Sequence, residues 1–566
     1  MRLRLLQTDY ARNLPACRFC KVAALLLVFV LSSCQLHAQS SPNKSSGAVS
    51  ISGTVVNGVT HEPVGRALVY SMDERYAALT DDHGHFELTL PQAFQVFFQV
   101  RRPGSFSGLK QRTEGTVLQP GQSNVTLWLI PEGLIVGKVK FPNSEAGDKV
   151  QVQLYSREVS NGFAQWTPIA RTTTRSNGEF RFAELRAGDY KLFTLEELEQ
   201  DPVVNLPSGP VYGFPPRFFA AAKSFAAAET IHLQPGQTIT ADISPERQRY
   251  YDVRVPVTFP QPADWGLSVS VFAQGHRGPG FALSYSPQQH AILGSLPNGS
   301  YEIEASSTGP AAATGVTHLV VDNGTVTAPL LSLTQNPSIE VNIHAEMSSA
   351  DNQNTPRPGT ESIPPAYVTL QSAEEFSPTR NFPGYTAQST PLRISGVRPG
   401  RYWVQVQPPF GYAASITSGS TDLLNTPLIV PFGVSVPPVD VTIRYDSGEI
   451  TGVFEDSAGP QNDTHSSPKV VNRLTLGPYP QPNSDLYCIS LSSPGNSPGA
   501  PRSWINGYPT WQNLPPGDYR ILAFDTAREI EYRNAEVMRK YESLGEVVHV
   551  GAGEKVQVVL KPIVSQ

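Results

Sequence analysis

The fold is decided by a stretch near the C-terminus, TWQNLPPGDYRILAF at residues 510–524. Apolar and polar residues alternate before and after a Pro-Pro-Gly turn, a pattern typical of two β-strands joined by a tight turn. The pattern occurs three more times, each with a Tyr in the same place and a Gly two residues before it, at residues 181–193, 293–305 and 392–406. A repeated β-unit of this kind predicts an array of small β-sandwiches.

The four copies can be aligned on their Tyr residues, which are Tyr190, Tyr301, Tyr402 and Tyr519. The positions eight and five before the Tyr, and two and four after it, are apolar or small, so we expect them to face the core. The Gly two residues before the Tyr favours a type II turn, in which only glycine adopts a positive φ at low cost. The residues expected in the core before the Tyr are Phe182, Leu293, Ile394 and Trp511 at the first position, and Leu185, Leu296, Val397 and Leu514 at the second.

The composition limits the class of protein. The chain has 566 residues, 51 of them Pro and 45 Gly, and its apolar runs are short and separated by turns. Such a chain is too long for one domain and predicts several all-β domains. Only 16% of the residues are charged, the net charge is −6, and no basic stripe is present, which argues against nucleic-acid binding.

We predict an all-β fold, a tandem array of about five small Ig-like antiparallel sandwiches. Residues 39–48 are a polar tether that precedes the array. One helical stretch, 526–544, interrupts the last domain; we expect it to pack there as a lid, with a partner-binding helix as the alternative. The predicted domains are residues 49–131, 132–246, 247–335, 336–446 and 447–566.

The N-terminus resembles an export signal. Several Arg and Lys residues precede an apolar run at 22–31, and a helix of roughly ten residues is about 15 Å long, half of a bilayer core. We therefore expect residues 1–38 to be a signal peptide. Leu31-Ser32-Ser33-Cys34 resembles the bacterial lipobox, so cleavage after residue 33 would leave Cys34 lipidated as a membrane anchor. Cleavage after Ala38, which would discard Cys34, is the alternative. The prediction is an outer-membrane, periplasmic or cell-surface lipoprotein, or otherwise a secreted protein.

Cysteine usage fits export without internal disulfides. Cys17 and Cys20 lie in the signal segment, which leaves Cys488 as the single internal cysteine of either mature form. Each domain must therefore be stabilised by its own apolar core.

The order of motifs in the first two predicted domains resembles a known family. GTVVNGVTHEPVGRALVY at 53–70 and TDDHGHFEL at 80–88 are followed by RSNGEFRFAELRAGDYKLF at 175–193. These segments resemble the carboxypeptidase regulatory-like family, whose transthyretin-like sandwiches are placed among the carbohydrate-binding-like folds. The resemblance implies a non-catalytic domain, because the zinc peptidase domain that carries the chemistry in metallocarboxypeptidases has no counterpart here.

No catalytic, cofactor or metal site is predicted. The chain has no H-x-x-E or H-E-x-x-H for zinc, no P-loop and no G-x-G-x-x-G. His83 and His85, beside Asp81 and Asp82, could form a metal clip, but a hairpin turn explains these residues better. We find no combination of nucleophile, base and orienting group.

Aromatic residues are the remaining functional signal. Lys191, Glu302 and Arg520 follow the repeat Tyr in three copies and indicate a solvated face, yet the fourth copy has Trp403. Trp403 is either a platform for a sugar ring or partner, or it is covered by a neighbouring domain. Trp504 and Tyr508 are further candidates for ligand contact. The aromatics near Pro215 and Pro216 are expected to seal the edge of the second sandwich: Tyr212, Phe214, Phe218 and Phe219.

The sequence thus leaves several functions open. The first is a non-enzymatic, exported or envelope-anchored structural, interaction or spacer protein, which would span on the order of 150 Å if its domains lay end to end. The second is a polysaccharide-binding protein that uses surface aromatics such as Trp403. An accessory subunit or an unrecognised hydrolase is a third. The expected partners are a polysaccharide or an envelope protein.

Overall fold

The structure is a computed structural model and describes most of the chain after the tether. The signal segment, Cys34 and nearly all of the tether lie outside the described residues. No helix within the described part is long and apolar enough to cross a bilayer. The described residues are 48–563, apart from 92–95, 108–115, 119–120, 122, 143–144, 200–209, 261–265, 274, 309–310, 347–365, 377–384, 387–390, 455–484, 494, 496, 502, 506–507 and 525–528.

The fold is all-β, as predicted, and consists of pairs of sheets packed in tandem. We call the five sandwiches the first to fifth units. The first unit packs the sheet β4-β1-β8-β6 on the sheet β3-β2-β5-β7. Its strands are β1 (Ala48–Asn57), β2 (Leu68–Ser71), β3 (Ala77–Leu79), β4 (His85–Pro91), β5 (Val96–Arg101), β6 (Ser105–Ser107), β7 (Thr116–Leu118) and β8 (Val125–Pro131).

The second unit contains one long hairpin and also extends the sheet of its neighbour. Of the strands that follow its repeat Tyr, β15 pairs with the first strand of the third unit and β14 pairs with β15, although the sequence analysis placed both in the second domain. The strands of this part of the chain are β9 (Gly133–Lys138), β10 (Gln151–Ser160), β11 (Phe163–Thr173), β12 (Glu179–Leu185), β13 (Gly188–Thr194), β14 (Glu197–Leu198), β15 (Val211–Phe214), β16 (Arg217–Phe218), β17 (Ile231–Leu233) and β18 (Thr238–Thr240).

The third and fourth units repeat the two-sheet plan. The third has β19 (Gln248–Thr258), β20 (Leu267–Ala273), β21 (Ser284–Ser286), β22 (Ala291–Pro297), β23 (Gly299–Ser307), β24 (Ala313–Val321), β25 (Val326–Thr327), β26 (Leu331–Ser332) and β27 (Thr334–Gln335). The fourth has β28 (Ile339–Glu346), β29 (Tyr367–Ser372), β30 (Tyr385–Thr386), β31 (Leu392–Ile394), β32 (Gly400–Gln407), β33 (Tyr412–Ser418), β34 (Thr421–Asp422), β35 (Leu428–Val430) and β36 (Val439–Arg444).

The fifth unit carries the one α-helix of the described residues. Its sheets are β39-β40-β37-β43 and β38-β41-β42. Its elements are β37 (Gly448–Phe454), β38 (Asp485–Ser490), β39 (Ser503–Ile505), β40 (Tyr508–Leu514), β41 (Gly517–Phe524), α1 (Ala535–Met538), a 3-10 turn (Arg539–Tyr541), β42 (Glu546–Val550) and β43 (Lys555–Leu560).

All five units share one arrangement of strands. The first strand of each unit runs parallel to a strand at or near its end: β1 with β8, β9 with β18, β19 with β25 and β26, β28 with β36, and β37 with β43. A parallel pair needs a long connection between its strands, and here the rest of the unit supplies it. Each unit encloses its own apolar cluster between its two sheets.

The repeated Tyr marks the point where the chain crosses from one sheet to the other. In the fifth unit β40 pairs with β37, whereas β41 pairs with β38 in the opposite sheet. The hydroxyl of Tyr519 donates to the carbonyl oxygen of Pro515, four residues earlier, at 2.5 Å. Tyr190, Tyr301 and Tyr402 make the same bond at 2.7, 2.9 and 3.0 Å. The repeat is therefore a tyrosine corner that holds the crossover.

The turn itself differs from the predicted type II turn. Gly188, Gly400 and Gly517 have φ of 158°, 156° and 155°, far from the value near +80° that a type II turn requires. Each of these residues is the first of the strand that follows the turn. The prediction of a type II turn was wrong because the chain changes sheets at this point, whereas a two-residue hairpin turn keeps it in one sheet.

The predicted core residues are buried in every copy except at Leu293 and Val406, which are half-buried. The two predicted positions before each Tyr are three residues apart, and residues three apart point to opposite faces of a regular strand, so both can face the core only if the register shifts. In the second and fifth units a bulge before the turn restores the register, with Glu184 and Asn513 in the left-handed conformation at φ of 57° and 58°. The third unit has no such shift between β19 and β22. Leu293 is therefore half-buried, and Ile292 takes the core position instead.

The predicted helix over 526–544 is much shorter in the structure. Residues 525–528 lie outside the described part, and α1 begins only at Ala535. The side chain of Asn534 accepts hydrogen bonds from the backbone N–H groups of Glu536 and Val537, so this residue is the N-cap and the helix cannot extend before it. The segment packs on the fifth unit through buried side chains that include Ile530, Tyr532 and Tyr541.

Candidate functional site

The long hairpin β10–β11 is the element that builds the candidate site. Its two-residue turn has Asn161 at φ 51° and Gly162 at φ 78°, the two positive φ angles of a type I′ turn. Ser160 and Phe163 pair across this turn. An Asn-Gly turn of this type matches the twist of the flanking strands. The tip of the hairpin lies against the fourth and fifth units.

The first set of contacts joins the hairpin to the fourth unit. The backbone N–H of Trp166 donates to the carbonyl oxygen of Glu375 at 2.7 Å. Gln165 Nε2 donates to the carbonyl oxygen of Ser372 at 3.3 Å, and Gln371 Nε2 donates to the carbonyl oxygen of Ser160 at 3.4 Å. Backbone-directed bonds of this kind fix the position of the hairpin along the edge of the fourth unit.

Arg157 connects the hairpin to two units at once. One of its guanidinium nitrogens contacts the carboxylate of Glu531 in the fifth unit, and Nη2 lies 2.7 Å from Glu375 Oε1 in the fourth. The side chains of Arg157 and Glu531 are only 21% and 12% exposed. Because the pair is largely shielded from water, removing one partner would leave a poorly solvated charge.

At the hairpin tip, Phe163 contacts both the fourth and the fifth units. Phe163 of the second unit lies against Trp403 of the fourth, with ring centroids 5.1 Å apart and 25° between the planes. Arg533 of the fifth unit places its guanidinium carbon 4.8 Å from the centroid of the same Phe163 ring. A stacked ring and a cation–π contact each stabilise a shielded interface by about 0.5–2 kcal/mol. We call the hairpin tip with Trp403, Tyr532 and Arg533 the junction.

An aromatic cluster beside the junction corrects one expectation. Lys191 was expected on a solvated face but is only 7% exposed. Its Nζ donates to the carbonyl oxygen of Phe225 at 2.9 Å and lies 5.0 Å from the Trp166 ring. The expectation was wrong because Phe218, one of the predicted sealing aromatics, and Phe225 cover this face, and Phe376 of the fourth unit packs against them.

The fourth and fifth units enclose a cleft of about 280 Å³ next to the junction. Trp403 and Tyr412 line it on one side, and Gln512 and Asn513 on the other. Arg533 is the single charged side chain among the described residues that line it. The cleft thus combines aromatic surface, side-chain amides and one cation.

The structure places the three predicted contact residues differently. Trp403 is half-buried in the junction, so a neighbouring unit covers one of its faces, as in the second interpretation left open by the sequence. Tyr508 is half-buried on β40. Trp504 lies on β39, and its side chain lies outside the described part. Sugar binding by any of the three stays a prediction.

The histidine pair of the first unit belongs to a turn. Asp81 Oδ1 accepts hydrogen bonds from the backbone N–H groups of His83 and His85 at 2.9 and 2.8 Å. The bond from the His85 N–H is the main cause that lowers the pKa of the Asp81 carboxyl; burial opposes it, and the bond from the His83 N–H adds to the lowering. Among the described residues, no three His, Cys, Asp or Glu side chains are grouped so that they could hold a metal. Cys488 is buried in the fifth unit, and burial raises the pKa of its thiol.

The sequence analysis overlooked two local signals. Asn161-Gly162 is the strongest short-range hairpin signal and would have predicted the β10–β11 hairpin. Residues 495–499 also have the G-x-S-x-G spacing of a nucleophile elbow. Ser497 is buried, however, and its Oγ accepts a hydrogen bond from the backbone N–H of Ser490 at 3.0 Å. No His lines the adjoining cleft among the described residues, so the motif has no base.

Comparisons with known proteins give only distant structural matches. No protein-family model and no curated protein matches this chain. The Bacillus anthracis TIE protein aligns at 9% identity and a TM-score of 0.14, over 67% of this chain and 65% of that one. The shaft pilin SpaA from Lactobacillus rhamnosus GG aligns at 12% and 0.18, over 35% and 98%, and a Streptococcal ancillary pilin at 12% and 0.17, over 51% and 99%. At these scores the likeness carries no argument about function.

Proposed function

We propose that this protein is a non-enzymatic, exported scaffold of the cell envelope in which tandem β-sandwiches present a fixed surface to a partner. The observation that supports the proposal is the junction. A hairpin of the second unit contacts both the fourth and the fifth, so the units are held in one arrangement by hydrogen bonds, an ion pair and a stacked aromatic. A fixed arrangement suits an interaction surface better than a flexible spacer.

This proposal modifies the end-to-end spacer suggested by length alone. In an extended array each unit touches only its sequence neighbours. Here Arg157 bridges to Glu531 across two intervening units. We therefore propose a folded-back array, and the carboxypeptidase regulatory-like resemblance of its first units remains part of the proposal.

Removal of the junction tests the scaffold role. Arg157→Ala combined with Phe163→Ala should leave each sandwich folded, because both side chains lie outside the five sandwich cores. We expect limited proteolysis to cleave between the units of the double variant much faster than in the parent. Arg75→Ala, at an exposed residue of the first unit, is the control. Equal cleavage of the double variant and the parent would contradict the scaffold proposal.

Export and anchoring need a separate experiment. If Cys34 is lipidated, the full chain should stay with the membrane fraction after a carbonate wash, and Cys34→Ala should be released. Equal retention of both would exclude the lipid anchor, and release of both would support the secreted form. Cys488→Ala is a matched control, because Cys488 is buried in the fifth unit and lies outside the predicted signal segment.

The alternative, a polysaccharide-binding protein that uses Trp403, stays a prediction, but the structure changes where a sugar could contact this residue. Phe163 covers one face of the indole, so a sugar ring cannot stack there as on a free surface platform. The cleft beside Trp403 is the place where such binding would have to occur.

A further inference from the structure

The cleft between the fourth and fifth units holds a cation, Arg533, that no carboxylate among the described lining residues balances. Arg533 Nη1 donates to the carbonyl oxygen of Gly495, while its Nε is shielded from solvent and makes no hydrogen bond within the described part of the chain. None of the described residues that line the cleft is an Asp or Glu. A shielded guanidinium without a carboxylate partner is costly, unless a ligand supplies the negative charge.

The ring contacts of Arg533 compensate only part of that cost. Its guanidinium lies over Phe163 and within 5.8 Å of the Tyr532 ring centroid. Burial lowers the pKa of Arg533, which is the direction expected when the charged form is poorly solvated. The nearby Glu531 is already paired with Arg157. The planar guanidinium is well suited to a carboxylate, which it can hold by two parallel hydrogen bonds.

The remaining lining suits hydroxyl groups and the apolar face of a ring. Gln405 Nε2 donates to Gln371 Oε1 at 3.0 Å, and Gln512 Nε2 donates to Glu449 Oε2 at 2.9 Å. These bonds fix the two amides and leave their oxygens as acceptors for ligand hydroxyls. Tyr412 lends only its ring, because its hydroxyl donates to Asp446 at 2.9 Å.

We propose that this cleft binds a saccharide unit that carries a carboxylate, with the carboxylate on Arg533, the hydroxyls on the fixed amides and the ring beside Trp403 and Tyr412. The volume of about 280 Å³ is at the lower end of small-molecule sites, which suits one or two sugar units. One wall of the cleft belongs to the fourth unit and the other to the fifth, so the site exists only while these two units keep their arrangement. This inference does not depend on whether the protein acts as a scaffold.

Binding of a uronic-acid oligosaccharide to the full chain tests the proposal. We expect trigalacturonate to bind saturably by calorimetry, with an affinity that falls as salt is raised. Maltotriose, which lacks the carboxylate, and acetate, which lacks the sugar, should each bind at least tenfold more weakly. Acetate binding as tight as trigalacturonate binding would overturn the saccharide assignment, and maltotriose binding as tight would overturn the role of Arg533. Absence of trigalacturonate binding at millimolar concentration would overturn the whole proposal.

Four variants at two positions, Gln407 and Arg533, identify the site. Gln407→Glu places a negative charge, the same sign as the ligand carboxylates, at the half-buried cleft wall and should weaken trigalacturonate binding at least tenfold. Gln407→Ala should weaken it much less. Arg533→Gln should abolish binding, and Arg533→Lys should recover part of it because the charge is kept. Unchanged binding in Gln407→Glu, with the parent's thermal unfolding curve, would place the ligand elsewhere and contradict the proposal.

Discussion

Phe163, at the tip of the β10–β11 hairpin, stacks on Trp403 of the fourth unit, with ring centroids 5.1 Å apart and 25° between their planes. These residues are far apart in the sequence, and each lies on the outside of its own sandwich. Their contact therefore fixes the arrangement of whole units and contributes to no single core. Most of the predictions below test this arrangement.

The Phe163–Trp403 pair should show a coupling energy. Phe163→Ala and Trp403→Ala remove the same stack, so the double variant should be less destabilised than the sum of the two single variants. Offset-stacked aromatic pairs contribute about 0.5–1.5 kcal/mol beyond their burial, which is the expected coupling in a double-mutant cycle of unfolding free energies. Additive effects would show that the two rings do not interact in solution.

Substitution of Gly162 by Ala should destabilise the protein more than the same substitution at a glycine of the same backbone conformation elsewhere. At φ 78° a Cβ is strained, and a Cβ on Gly162 would lie 2.7 Å from the ring of Tyr532. Gly104 has φ 79° with nothing within 4 Å of its Cβ position. Gly104→Ala should cost about 1 kcal/mol for the left-handed backbone alone, and Gly162→Ala about 1–2 kcal/mol more because the junction must shift. Equal costs in chemical denaturation would mean that Tyr532 does not pack on the turn.

The tyrosine corner of the fifth unit should stabilise it through one hydrogen bond. Tyr519 is 1% exposed, and Tyr519→Phe removes the bond to the Pro515 carbonyl with little change in shape. We expect a loss of about 1–2 kcal/mol in the unfolding free energy of that unit. Tyr508→Phe, at a half-buried Tyr on β40, should change stability by less than about 0.5 kcal/mol. A neutral Tyr519→Phe would show that the crossover does not need the hydroxyl.

Glu196 should make the contact between the second and third units sensitive to pH. Burial raises the pKa of Glu196 to about 7, and its carboxylate accepts a hydrogen bond from the Ala282 backbone N–H at 3.2 Å. The hydrogen bonds from the Ala282 N–H and the Tyr250 side chain favour the carboxylate but offset the effect of burial only in part. The folded state thus holds this proton more tightly than the unfolded state, so stability is greatest below about pH 4.5 and falls as pH rises through 7, by at most about 3 kcal/mol.

Substitution of Glu196 checks that assignment. Glu196→Gln should remove most of the loss between pH 5 and pH 8 and raise the thermal midpoint at pH 8. Glu229→Gln, at an exposed residue of the same unit, should keep the parent's pH profile. A Glu196→Gln profile identical to that of the parent would assign the titration to another group.

The sandwich fold was predictable because its signal is local and repeated. The residue five positions before each Tyr is buried in all four copies, as at Leu514, and the Tyr hydroxyl always bonds four residues back. One exception, Leu293, depends on a bulge that the third unit lacks, and a bulge is not visible in an apolar pattern. The helix length failed for a related reason, because one capping residue, Asn534, outweighs a longer amphipathic pattern.

The candidate site was not predictable to the same extent. Trp403 was noticeable as the exception among charged residues, but Lys191, one of those residues, is itself buried by aromatics. Nothing local in the sequence shows that Phe163 meets Trp403, since that contact depends on how units pack. Arg533 could not be singled out from the sequence, because a single Arg in a helical pattern is ordinary, and only the structure shows that the described lining of the cleft has no Asp or Glu beside it.

The radius of gyration of the mature chain, measured by small-angle X-ray scattering on the monomer, tests the folded-back arrangement most directly. A chain of this size that packs as one compact body has a radius of gyration of about 24 Å. With its tether and loops included, we expect a radius of gyration below about 35 Å. The Arg157→Ala and Phe163→Ala double variant should be larger than the parent. An end-to-end array on the order of 150 Å long would exceed about 40 Å, and that value in the parent protein would contradict the junction.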